Sequence, residues 1–102
     1  MTFQSNLEIN NAIAKITLIG ELDASTAPQF KEQVEKALTG DIQRLILDMQ
    51  DLEYMASAGL RVLIFAKQKL GTAVDIYIIK PQEMVEETIE KTGFHHSVVI
   101  EH

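Results

Sequence analysis

A chain of 102 residues and 11.4 kDa is the size of one domain, and 46% hydrophobic with 24% charged residues is an ordinary globular balance with enough apolar surface for one core. There is no cysteine, which excludes disulfides, thiolate nucleophiles, Fe–S clusters and zinc ribbons. Fifteen acidic residues against nine basic ones give a net charge of −6, the wrong balance for binding a nucleic-acid backbone. The longest apolar run, Val62 to Ala66, is five residues, against roughly 20 for a membrane span. The opening MTFQSNLEIN has neither the basic flank nor the apolar segment of a secretion signal. The expectation is a single cytoplasmic domain over residues 1–102, without membrane or direct nucleic-acid contact.

In chain order, Phe3–Ile9 and Ala12–Ile19 read as strands, with Asn10-Asn11 as a hairpin turn, because asparagine tolerates left-handed backbone. Gly20 reads as a strand end. A helix follows from about Ser25 to Thr39, its apolar positions Ala27, Phe30, Val34, Ala37 and Leu38 on one face. Ser25 or Thr26 is placed to cap it, and Pro28 fits its first turn. Arg44–Met49 reads as a strand buried on both faces through Leu45-Ile46-Leu47. Ser57–Leu70 reads as a second helix, apolar almost all round in its first half, with Gly59 oddly placed just inside it. Val74–Ile79 is a further buried strand, Glu83–Thr92 an acidic helix with Met84, Val85 and Ile89 inward, and Ser97–Ile100 a last strand. Gly40, Gly71 and Gly93 each follow a helical pattern and suit a left-handed helix end. The order ββαβαβαβ predicts an α/β fold: a mostly parallel central sheet with an antiparallel N-terminal hairpin, covered by helices through right-handed crossovers.

The informative stretch runs from Asp48 to Leu63. In open α/β sheets, ligands and partners gather beyond the carboxyl ends of the strands, and Ser57 stands at such a point, where a strand gives way to a helix. As a helix N-cap it is worth about 1 kcal/mol. As a modification site it offers a hydroxyl at a helix start, where free N–H groups and the dipole accept a phosphate. Ala56, Ala58 and Gly59 are small and permit close approach. Arg61 lies one turn further on the same face.

Gly20-Glu21-Leu22-Asp23, Leu45-Ile46-Leu47-Asp48 and Tyr54-Met55-Ala56-Ser57-Ala58-Gly59-Leu60-Arg61-Val62-Leu63 resemble the STAS domain, and within it the bacterial anti-sigma factor antagonists. The resemblance covers nearly the whole chain and implies a partner-switching protein. The unphosphorylated form would bind an anti-sigma factor that is also a serine kinase of the GHKL type and free a sigma factor. Phosphorylation of the matching serine, Ser57, would abolish binding, and a PP2C-type phosphatase would restore it. Asp23 matches an acidic position beside that serine, and Met55, Ala56, Ala58, Gly59 and Arg61 fall on the matching contact surface. Ala56 stands where the family often has Asp, and Ala58 where it often has Ser or Thr, so Ser57 is the loop's one hydroxyl. The alternative within the same resemblance is a ligand-sensing STAS domain that takes a nucleotide or other small molecule in this loop region.

An enzyme is not expected. Met55-Ala56-Ser57-Ala58-Gly59 lacks the first glycine of a nucleophile elbow, and His95, His96 and His102 form no ordered triad with an acid. There is no Gly-rich phosphate loop, so no cofactor is implied. His95-His96, read as extended, would point to opposite faces and converge poorly on a metal, and the preferred reading is a solvated turn after Gly93. Glu83, Glu86, Glu87 and Glu90 read as a solvated helix face.

Overall fold

A computed structural model describes residues 3–102. The elements are β1 (Gln4–Asn10), β2 (Ile13–Leu22), α1 (Ala27–Leu38), β3 (Arg44–Met55), α2 (Ser57–Leu70), β4 (Asp75–Ile79), α3 (Glu83–Lys91), a single 3₁₀ turn (Phe94–Ser97) and β5 (Val99–Glu101). The five strands lie in one sheet in the order β1-β2-β3-β4-β5, with β1 antiparallel to β2 and all later neighbours parallel. The ββαβαβαβ order and the mixed sheet are those expected from the sequence.

Each parallel step moves the same way across the sheet, so right-handed crossovers deliver every helix to one face. The burial pattern records this. Ala14, Ile16 and Leu18 of β2, Leu45, Leu47 and Met49 of β3, and Ile76 and Ile78 of β4 are at most 1% exposed. Their alternating neighbours Lys15, Thr17, Ile19, Ile46, Asp48, Tyr77 and Ile79 are half-buried on the uncovered face. The helices therefore cover one face only. Ile46 corrects the expectation of a strand buried on both sides. Phe30 and Val34 of α1, Leu63 of α2 and Val85 and Ile89 of α3 close the core, each side chain contributing about 1.5–3 kcal/mol by burial.

Four local readings change. The hairpin turn is Asn11-Ala12, both at positive φ (49° and 68°), one residue later than Asn10-Asn11. Gly20, at φ 95°, lies inside β2 at a register shift and does not end it. Gly40 is not left-handed, since α1 ends with right-handed Thr39. Met84 points outward, 62% exposed, because α3 is seated by Val85 and Ile89 alone. β3 also runs six residues beyond Met49, to Met55. It pairs with β4 only over Arg44–Asp48, but with β2 out to Leu22↔Met55.

Candidate functional site

β2 and β3 end together, and the two turns that follow emerge side by side. The Ala56 amide donates to the Leu22 carbonyl at 2.8 Å, tying the start of α2 to the end of β2. Asp23 follows directly on one strand and Ser57 on the other.

Ser57 is exposed and is the first residue of α2. The N-cap position belongs to Ala56, whose backbone is extended and whose side chain caps nothing. This corrects the expectation that Ser57 is the cap. The Ala56 carbonyl accepts from the Gly59 and Leu60 amides at 3.0 and 3.2 Å. The amides of Ser57 and Ala58 have no hydrogen-bond partner among the described residues, which leaves two free donors at the positive end of the helix.

Gly59 is buried and explains its own identity. A Cβ there would lie 2.6 Å from Leu22 Cγ, 2.7 Å from Leu22 Cδ2 and 3.3 Å from Met55 Cγ. Only glycine lets the first turn of α2 settle on the end of β2. Met55 is 2% exposed and faces the core. Met55 and Gly59 were both expected on a contact surface. They lie beneath it, and they shape the turn that presents Ser57. Ala56 and Ala58 are half-buried at its rim, and Arg61 is exposed one turn along.

Asp23 is folded back on its own turn. Its Oδ1 accepts from the Ser25 hydroxyl at 2.7 Å and from the Ser25 and Thr26 amides at 2.9 and 3.1 Å. Its own amide donates to Thr26 Oγ1 at 2.9 Å. The Ser25 hydroxyl, aided by the Thr26 and Ser25 amides, holds the carboxyl below the usual aspartate range against a smaller opposing effect of desolvation. Asp23 thus organises the start of α1, a task that the sequence had suggested for Ser25 or Thr26 as a cap; Thr26 occupies the cap position without a side-chain cap bond.

Two residues of the motifs quoted above take roles here that the sequence does not assign to them. Leu22, fully buried, is the surface on which α2 rests. Tyr54 is 42% exposed beside Ser57's turn and pairs with Glu21 across the strands. Beyond Met49 the strand loses its alternation: Met49, Leu52 and Met55 turn inward at every third residue across the register shifts against β2, and Tyr54 falls in an exposed gap between them. Asp51 and Glu53 are exposed on the same stretch, and Arg61 is exposed in the first turns of α2.

An open depression of about 700 Å³ lies at the opposite pole, bordered by Asn11, Ile42, Arg44 and Asp75, and none of the candidate site residues lines it. His95 and His96 lie in the 3₁₀ turn that follows Gly93, as expected of a turn there, and their rings are tilted by 38° with centroids 3.9 Å apart.

A two-layer α/β sheet of this order and pairing is the fold of the STAS class of domains. The STAS domain family matches residues 4–102, and the chain belongs to that family. It is 24% identical over 84 residues to the anti-sigma-F factor antagonist RsfB of Mycobacterium tuberculosis, an overlap of 82% of this chain and 69% of RsfB. An anti-sigma factor antagonist from Mycobacterium paratuberculosis has the same fold, with a TM-score of 0.90 at 20% identity over 98% of this chain and 86% of that one. The Bacillus cell fate determinant SpoIIAA in its phosphorylated form superposes with a TM-score of 0.73 at 20% identity, covering 97% of this chain and 90% of that one.

Proposed function

We propose that the chain is an anti-sigma factor antagonist in a bacterial, cytoplasmic partner-switching cascade, a binding module and kinase substrate with no catalysis of its own. Ser57 is the regulated residue. Unphosphorylated, the surface of Ser57, Ala56, Ala58 and Arg61, with the Asp23 turn beside it, binds an anti-sigma factor that is also a GHKL-type serine kinase. Phosphorylation of Ser57 ends that binding, and a PP2C-type phosphatase reverses it. The observation that carries the reading is the exposed Ser57 hydroxyl beside two unpartnered amides at an uncapped helix start. A phosphate adds about −1.5 to −2 charge there and is accommodated by the helix end without unfolding. That added charge at the contact surface disrupts a partner's contact, and each 1.4 kcal/mol lost is about tenfold in affinity.

The test is calorimetry against a GHKL-type anti-sigma factor kinase from the source organism. Ser57→Ala is expected to bind as the native protein does and Ser57→Asp at least about tenfold more weakly. Mass spectrometry after incubation with kinase and ATP is expected to place one phosphate on Ser57. Equal affinity of the two variants, or phosphate elsewhere, refutes the assignment.

A further inference from the structure

Charge in this protein is sorted by helix. α2 carries Arg61, Lys67 and Lys69 and no carboxylate, whereas α3 carries Glu83, Glu86, Glu87 and Glu90 against Lys91. Among the described residues the ion pairs are Lys15–Asp48 at 3.8 Å and His102–Glu86 at 2.7 Å. None of the α2 cations is paired, and of the α3 glutamates only Glu86 is. On the uncovered sheet face Lys15 is paired with Asp48, and Arg44 lies 4.5 Å over the Tyr77 ring.

Both charged helices also expose apolar surface. On α2, Ile64 is 37% exposed beside half-buried Phe65, whose ring centre lies 4.7 Å from the Lys31 ammonium of α1 and 5.8 Å from that of Lys69. On α3, Met84 is 62% exposed, the most of any large hydrophobic side chain among the described residues, with exposed Glu83 and Glu87 next to it. Helix dipoles account for part of this sorting, since they favour Lys67 and Lys69 at the end of α2 and Glu83 and Glu86 at the start of α3. They do not account for Glu90, which sits in the last turn of α3, where a carboxylate opposes the dipole.

We propose that these surfaces are two halves of a self-association interface. In a two-fold dimer, the acidic outer face of α3 in one copy, led by Met84, packs on the basic outer face of α2 in the other, around Ile64 and the Phe65 lysines. α2 and α3 lie in one helix layer and follow adjacent parallel strands, β3 and β4. When two such layers face each other across a two-fold axis lying between them, each α2 meets the other copy's α3, and the assembly closes. Two helices per copy make an interface at the small end of the range, below about 1,200 Å², typical of transient association. Its charges attract over a screening length of about 8–10 Å, so the dimer is concentration-dependent and salt-sensitive. Arg61 shares the outer stripe of α2 with Ser57, so the dimer covers the surface beside Ser57 and the monomer leaves it open. The proposal stands independently of the function assigned above.

Sedimentation equilibrium of the whole chain tests it, at about 1 mM protein in buffers of about 0.01 M and 1 M ionic strength, where the screening length is roughly 30 and 3 Å. The expected result is a dimer at low salt and a monomer at high salt. Lys31→Glu with Lys69→Glu reverses the basic face, and Glu83→Lys with Glu87→Lys reverses the acidic face. All four positions are exposed, and circular dichroism checks that each variant is folded. Each variant alone is expected to associate at least about tenfold more weakly, and an equimolar mixture to dimerise again because both contacts are then between opposite charges. General repulsion predicts instead that the Glu→Lys variant, which is less negative overall, associates more strongly than the native chain. A native protein that stays monomeric at low salt overturns the proposal, as does a dimer indifferent to the reversals.

Discussion

Replacing Gly59 with alanine isolates the contact that seats the helix bearing Ser57. The backbone of Gly59 is not left-handed, so alanine meets no conformational strain, and in a helix it gains up to about 1 kcal/mol over glycine. Against that gain stands the new methyl at 2.6 and 2.7 Å from Leu22. Leu22 is fully buried and has no solvent to swing into, and Met55 Cγ at 3.3 Å closes the other side. Overpacking of this kind costs about 1–3 kcal/mol. The expected net loss is about 1–2 kcal/mol, a fall of roughly 4–8 °C in Tm per kcal/mol for a domain of this size. Urea titration of Gly59→Ala, Leu22→Ala and the double variant makes the assignment specific. Leu22→Ala alone is expected to cost about 2–5 kcal/mol. In the double variant the new methyl enters the space that Leu22 vacates, so the loss falls short of the sum by about 1 kcal/mol or more. Additive losses, or a Gly59→Ala protein more stable than the native one, would refute the steric account.

Three further outcomes follow from the same geometry. Ser57→Ala is expected to change stability by less than about 0.5 kcal/mol, since Ser57 makes no cap bond; a loss near 1–2 kcal/mol in denaturant would restore it as the cap. Ala12→Gly is expected to stabilise the fold by about 1 kcal/mol, because Ala12 holds φ 68° at the hairpin turn, and a destabilised variant in thermal melts would contradict this. The Asp23 carboxyl is expected to titrate below the ordinary value of about 3.9 by carbon-detected NMR and to move up in Ser25→Ala. Its depressed folded pKa means that its contribution to stability is present above about pH 4 and is lost as pH falls through the folded value. An upward shift in the native protein would reverse that sign.

Much of the architecture was legible because periodicity and punctuation agreed. β2's alternation and α1's 3–4 spacing each had one interpretation, and the strand–helix order left little freedom of topology. What escaped depended on three-dimensional neighbours. Leu45-Ile46-Leu47 looks buried on both sides, yet only the common direction of the crossovers decides that Ile46 faces outward. Met84 has the same composition as a core residue and is exposed because Val85 and Ile89 suffice to seat a short helix. At the candidate site, Ser57 and Arg61 were placed correctly on an exposed helix face. Met55 and Gly59 were misread because smallness and apolarity suit a contact surface and a tight seat equally well. The Leu22 side chain, 30 or more residues away in sequence, settles which one applies.

β3 outruns its neighbour. From Met49 onward it has β2 on one side and no strand of β4 on the other, where the Gln82 side-chain amide donates to the Gln50 carbonyl at 2.9 Å. The stretch that delivers Ser57 is therefore built like a springboard, clamped over Arg44–Asp48 and free along one edge toward its tip. Amides there exchange with solvent through local opening, at lower free energy than those of the clamped half. Fitting the tip to another protein then draws on the compliance of a few residues and leaves the core's cooperativity intact.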